Sequence, residues 1–161
     1  ASPLTPEQIA LGQIIAVTVR LVLQSAIYFG VVALFGASPS AWGWASILVA
    51  TLAGLSFGLP LMAYAASIKE DKGQFAMVMR FIVMPLFLFS GTFFPLDTLP
   101  LAVRWIGWIS PIWHGTELGR VLSYGYQEPP LLTIAHVVFL LALCVAGWVL
   151  TKRQFVKRMG G

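Results

Sequence analysis

The stretch "QFAMVMRFIVMPLFLFSGTFFPLDTLP" (74–100) decides how this chain is read. It opens as an apolar run long enough to enter a bilayer. It then breaks at Ser90-Gly91-Thr92 and ends in a turn with two prolines around one carboxylate, Asp97. Irregular backbone at membrane depth is tolerated only where protein or a water-filled cavity satisfies the freed N–H and C=O groups. A helix ending near Gly91 inside a protein-lined cavity is therefore expected. The following "LAVRWIGWIS" (101–110) is apolar but, at about ten residues, too short to span, which marks a re-entrant or interfacial segment. Ser110-Pro111 supplies an N-cap and a first-position proline for "PIWHGTELGRVLSYG", ended by Gly125. The expectation is a helical hairpin dipping in from the outer face, with Trp105, Trp108 and Trp113 in the interfacial belt.

The rest of the chain agrees with a membrane setting. Of its 161 residues 58% are hydrophobic and 10% charged, where a soluble domain carries about a quarter charged. Apolar runs at 9–35, 42–66, 75–94 and 130–150 each approach or exceed the ~20 residues that span a bilayer core as helix. A closed barrel would need strands alternating apolar and polar residues, and these runs do not alternate. The fold class expected is an all-α polytopic membrane protein with about four transmembrane helices and an outer re-entrant hairpin over 95–126. The boundaries leave 1–8 as an entry segment and 151–161 as a tail.

Charge placement gives the orientation. Lys69 and Lys72 lie in "SIKEDKG" (67–73), and Lys152, Arg153, Lys157 and Arg158 follow the last run. The positive-inside rule puts both segments, and both termini, in the cytoplasm. Bases directly after a spanning helix are a topology signal and a lipid-headgroup contact, not a nucleic-acid patch. Cys144 is the single cysteine, so no disulfide or thiolate metal site forms within the chain. No secretory signal peptide is visible. The first residues read like the middle of a longer protein.

"ASPLTPEQIALGQ" (1–13) is built to start a helix. Thr5 is the N-cap, Pro6 takes the first helical position and Gln8 completes a capping box. A helix from Pro6 to Phe35 measures roughly 45 Å, more than the ~30 Å hydrocarbon core, so its first turns either project from the membrane or lie at a tilted end. In the second run Ala50, Gly54 and Gly58 at spacing four point to a close helix contact, and Pro60 to a kink. Trp42 and Trp44 sit at its outer end.

Polar groups inside the runs carry the functional question. Gln13, Arg20 and Gln24 share a helical face. A buried arginine needs a partner or water, so Arg20 faces a translocation pathway, pairs with an acid on another helix, or snorkels. Arg80, near a helix end, reads as snorkelling, and His136 as a satisfied packing histidine. His114 and Glu117 at spacing three make at most half a metal site. No phosphate loop, HExxH or paired serine and histidine is present. Intramembrane hydrolysis stays a remote alternative, and no enzyme is expected.

At "PLFLFSGTFFPLDTLPLAVRWIGWISPIWHGTELGRVLSYG" (85–125) the chain resembles the permease subunit of type-2 ABC exporters. Within that class it is most similar to the branch for lipo-oligosaccharide (nodulation-factor type) and daunorubicin-type drug export. The family pattern falls on Ser90, Gly91, Phe94, Pro95, Leu99, Pro100, Pro111, His114, Glu117 and Arg120, and the opening resembles the family's "ATPLSP" segment. The resemblance covers essentially the whole chain, as the C-terminal two-thirds of such a permease.

That resemblance implies a bacterial inner-membrane exporter subunit working by alternating access on a hydrophobic drug or lipid-linked glycan. Its partners would be a separate ABC ATPase, which holds ATP and Mg, a second permease copy (identical or paralogous) and the bilayer. The chain itself would bind no cofactor. Coupling to the ATPase would fall on Ser2, Pro3, Leu4, Thr5, Pro6 and Glu7, and on Lys69, Glu70 and Asp71. Pathway and gate residues would be Arg20, Gln24, Ser90, Gly91, Thr92, Pro95, Asp97, His114 and Glu117. The alternative is a non-transporting membrane assembly protein, with the Ala50-Gly54-Gly58 face as its main interaction surface.

Overall fold

A computed structural model describes residues 4–159, which are helical with no strand. The elements are α1 (Pro6–Leu34), α2 (Ser46–Ser67, entered through a 3-10 turn at Gly43–Ala45), α3 (Gln74–Leu88), α4 (Leu101–Ile109), α5 (Pro111–Tyr124) and α6 (Pro130–Met159). Three are long and apolar enough to cross a membrane: α1, the Gly43–Ser67 unit and α6. The chain is an all-α polytopic membrane protein.

α1 begins as its residues dictate. The Thr5 hydroxyl accepts from the Gln8 amide N–H, the Gln8 side chain accepts from the Thr5 N–H, and Pro6 occupies the first turn. Residues 6–8 thus form the first turn of this helix. The N-terminal half packs along the bundle, and Glu7 pairs with Lys152 of α6 at 3.2 Å. Residues 151–159 of the basic tail continue α6, which runs without interruption through Met159 and is tied to the end of α2 by Arg158 donating to the Ala66 carbonyl. These contacts gather the start of α1 and the ends of α2 and α6 at one face, the basic end.

The core is the parallel pair α2 and α6, with α1 antiparallel beside them. Ser56 Oγ donates to the Leu140 carbonyl and Thr151 Oγ1 to the Leu59 carbonyl, and both hydroxyls are buried. Gly147 lies against Leu59 and Pro60; a Cβ there would sit 2.6 Å from Pro60 Cδ. The ring of Pro60 is therefore accommodated by a glycine on the facing helix. Of the small-residue stripe only Gly54 makes the close approach expected, against Leu21 of α1. Gly58 faces open space and Ala50 lines a cavity.

The third apolar run departs most from expectation. Its helix stops at Leu88, one turn before Gly91 where the end was expected, and spans about 22 Å at 1.5 Å per residue. Pro85 has no N–H to donate, and the turn before it, Met79–Val83, widens to π geometry with the Met84 N–H reaching the Met79 carbonyl. α3 leans on α4 and leaves Met77, Phe81, Ile82, Met84 and Phe87 exposed. The expected hairpin is present as α4 and α5, but two of its residues act differently from expectation. Ser110 makes no side-chain cap, since its hydroxyl donates instead to the Leu86 carbonyl across the hairpin. Trp113 does not belong to an interfacial belt: its indole nitrogen is buried without a hydrogen-bond partner, and the ring packs between Gly91 and two histidines. Trp105 and Trp108, by contrast, are exposed.

Candidate functional site

A helix that stops inside apolar surroundings leaves carbonyls without partners. Here three carbonyls near the break, of Leu86, Phe87 and Gly91, meet side-chain donors. Ser90, fully buried, turns its hydroxyl back onto the Phe87 carbonyl at 2.6 Å, and Ser110 covers the Leu86 carbonyl at 2.9 Å. Arg120 of α5 donates to the Gly91 carbonyl at 2.6 Å while pairing with Glu117 one turn earlier. Gly91 sits at φ +75°, and the Trp113 ring lies where a Cβ would be, 3.0 Å away. Only glycine offers both that backbone conformation and that space. Thr92 continues the seat through contacts with Ser90 (2.8 Å) and Thr116 (3.3 Å).

Beside this seat, α1, α2 and α5 enclose an open cavity of about 650 Å³. Gln24 and Tyr28 of α1, Ser46 and Ala50 of α2, and Thr116, Arg120 and Ser123 of α5 face it, with Thr92 at its edge. The lining mixes hydroxyls, one amide and one guanidinium with apolar side chains.

The hairpin is also bound to α6. His114 of α5 and His136 of α6 meet Nδ1 to Nδ1 at 2.6 Å. His114 Nε2 lies 2.9 Å from the Trp108 carbonyl, and His136 Nε2 lies 2.9 Å from Glu128 Oε1. Thr133 Oγ1 donates to Glu128 Oε2 at 3.0 Å. His136 is wholly buried and the Glu128 side chain 4% exposed. Trp113 stands edge-on to both imidazoles, and Phe139 stacks on His114 at 4.0 Å. His114 and Glu117, read as half a metal site, turn to different partners; among the described residues no three His, Cys, Asp or Glu side chains group to hold a metal.

The site residues read from sequence fall into three places. Ser90, Gly91, Thr92 and Glu117 meet at the broken helix, with His114 one turn away on the α6 side. Pro95 and Asp97 lie outside it on the exposed turn, where the Asp97 carbonyl, not its carboxylate, accepts from Arg104. On α1, Gln24 reaches the cavity, whereas Arg20 is exposed below it and makes no hydrogen bond or ion pair among the described residues. Arg80 is exposed within the π turn.

At the basic end Leu4, Thr5, Pro6 and Glu7 open α1. Lys69, Glu70 and Asp71 form the exposed α2–α3 loop, where Glu70 pairs with Lys72 and Asp71 accepts from the Gly73 N–H. Ser2 and Pro3 lie outside the described residues. Sequence reasoning missed Arg120 as the ligand of Gly91, and Glu128. The signal for Glu128 is a carboxylate just before the two prolines that open the last span, eight residues from a histidine inside it.

Neither the curated proteins nor the solved structures contain a match to this chain. Residues 1–124 match the family described as ABC-2 type transporter, whose membrane domain is the permease and not the ATPase, and whose membership implies a lipid bilayer and pairing with a separate ABC ATPase. With that match over most of its length, and with three helices long and apolar enough to span a membrane among the described residues, the chain belongs to the ABC-2 type transporter family as a membrane permease component.

Proposed function

We propose that this chain lines the export pathway of an ATP-driven transporter in a bacterial inner membrane and that the seat at Ser90-Gly91-Thr92 is its outer gate. The observation that carries this is a helix stopped in apolar surroundings whose end carbonyls are held by hairpin side chains, next to a 650 Å³ cavity. Such an end is held by a few hydrogen bonds and so has a second arrangement within reach once they are exchanged. Both described ends are cytoplasmic on this reading, following the positive charges. A second permease copy, identical or paralogous, covers the open face of α3.

Arg20 belongs to the same pathway. It stands 13 residues beyond Glu7 and 14 before Leu34, roughly 20 Å from either end of α1. That is too deep for the side chain to reach headgroups, so a water-filled path or an acid of another helix must solvate it. The amphipathic cavity suits a cargo with both apolar and hydrogen-bonding parts, a hydrophobic drug or a lipid-linked glycan. Thr5, Pro6 and Glu7 with Lys69, Glu70 and Asp71 face the ATPase, which alone holds ATP and Mg. ATP binding there would shift the permease between inward-open and outward-open states for which cargo has different affinity.

Single cysteines in a Cys144→Ser background test the gate. With the ATPase co-assembled, Thr92→Cys and Thr98→Cys should label from outside with a membrane-impermeant thiol reagent. Ser110→Cys, fully buried at rest, should label only when a non-hydrolysable ATP analogue drives the outward state. Labelling of Ser110→Cys unaffected by nucleotide, or protection of all three positions, would remove the hairpin from the gate.

A further inference from the structure

The contacts among Glu128, His136, His114 and Trp108 set how many protons the cluster can hold. A carbonyl only accepts, so His114 Nε2 carries a proton toward Trp108. Two Nδ1 atoms 2.6 Å apart need one proton between them, neither none nor two. The contact of His136 Nε2 with Glu128 Oε1 likewise needs one. Three protons on one glutamate and two imidazoles make a group of zero net charge, whether written as carboxylate, imidazolium and imidazole or as carboxylic acid and two imidazoles. Neutrality suits its burial. A metal ion does not fit the gap, because two nitrogens on a tetrahedral zinc stand roughly 3.3 Å apart.

We infer that Glu128, His136 and His114 form a proton-binding site that latches the hairpin to the last helix and has every contact filled only when it carries three protons. Removing one leaves a contact without its proton, at the Nδ1 pair or, if His114 takes its Nδ1–H tautomer, at the Trp108 carbonyl; adding one sets two protonated atoms face to face, at the Nδ1 pair or at Glu128. Either way the latch loses one of its contacts. Among the described residues no other charge is placed at the cluster: α2 carries no acidic, basic or histidine side chain, Glu117 and Arg120 pair with each other, Arg104 of α4 is held by the Leu99 and Asp97 carbonyls, and the bases of α6 lie beyond Thr151, at its basic end. Of the charged groups on α1, Glu7 is at the basic end and Arg20 is exposed.

The pH dependence follows from proton counts. In water an imidazole ordinarily titrates near about 6.5 and a glutamate near about 4.3. Above about pH 6.5 the open form holds two protons against three in the closed form, so opening rises about tenfold per pH unit. Between about 4.3 and 6.5 the open form holds four, so opening also rises as pH falls. The latch is tightest near pH ~6.5.

Glu128→Gln separates a titrating latch from a merely structural contact. The amide N–H₂ donates to His136 Nε2 permanently, each imidazole keeps one proton, and closed and open forms hold equal numbers above about pH 6.5. Hydrogen exchange of residues 101–124, corrected for the intrinsic rate, is measured on the full chain in nanodiscs from pH 6.5 to 8.5. Opening is expected to rise about tenfold per pH unit in the unaltered protein and to stay flat in Glu128→Gln. A flat unaltered protein, or the same slope in both, would overturn the latch. A second reading needs no variant. The chain has two histidines, so ¹⁵N-histidine labelling gives four ring signals. One proton shared by the two Nδ1 nuclei and a single joint titration are expected, and two independent titrations with lone-pair signals at both Nδ1 atoms would refute it.

Discussion

Gly147 shows how much a single hydrogen atom can decide. Its Cα faces Leu59 Cβ and the Pro60 ring, and a methyl there would lie 2.6 Å from Pro60 Cδ and 2.8 Å from Pro60 N. Neither neighbour is the end of a flexible side chain, so Gly147→Ala must push α2 and α6 apart, at about 1–3 kcal/mol. Gly58 is the control on the same pair. A Cβ there meets nothing within 4 Å, so Gly58→Ala gains up to about 1 kcal/mol from helix propensity alone. Thermal unfolding in detergent micelles should move down for the first and not down for the second. Equal shifts would mean that the close approach is not what holds the pair. Arg120 is decided at the same scale. Arg120→Ala leaves the Gly91 carbonyl and the Glu117 carboxylate without their donor, and Lys cannot serve both because it lacks the planar fork. The Arg120 and Glu117 side chains are 27% and 14% exposed, so about 1–3 kcal/mol is expected, below the figure for a fully buried pair. Arg120→Lys should recover only part of the lost thermal stability.

At the scale of elements the hairpin packs closely on α2, with Gly115 against Ala53, but its hydrogen bonds to α3 and α6 are few and discrete. Ser110→Ala removes the donor to the Leu86 carbonyl and leaves that group unpaired, costing about 1–3 kcal/mol. Hydrogen exchange should quicken across 101–124 while the α2–α6 pair keeps its protection; uniform quickening would mean that hairpin and core open together. These elements also divide what the sequence shows from what it hides. The start of α1 was legible because its capping box closes within four residues. The break at Ser90-Gly91-Thr92 was legible because the local composition forbids a continuous helix. Ser110 was misread for the same locality: before a proline it has the form of an N-cap, and only a carbonyl 24 residues away gives its hydroxyl another partner. His114 and His136 read as unrelated, since 22 residues separate them and neither carries a periodic signal. The small stripe on α2 was half legible: periodicity finds small residues, but which of them meets a neighbour depends on where Leu21 of α1 arrives.

For the whole molecule, the basic end is where motion would have to enter if an ATPase drives the hairpin at the other end. Glu7 is both the first acid of α1 and the partner of Lys152, a pair whose side chains are 57% and 48% exposed. Exposed pairs of this kind contribute about 0–1 kcal/mol, so Glu7→Lys should barely change unfolding. Its effect on coupling discriminates two roles. If Glu7 serves only to hold α1 against α6, the double exchange Glu7→Lys with Lys152→Glu restores the pair and with it the stimulation of ATP hydrolysis. If the ATPase reads Glu7 directly, the exchange keeps the internal pair but presents the wrong charge, and stimulation stays low. The proposed coupling role predicts the second outcome, with docking weakened roughly tenfold, which corresponds to about 1.4 kcal/mol. Titrating the nanodisc-embedded permease with its ATPase while following phosphate release measures both quantities at once. Rescue by the double exchange would reduce Glu7 to a structural strut and leave Lys69, Glu70 and Asp71 as the remaining route for coupling.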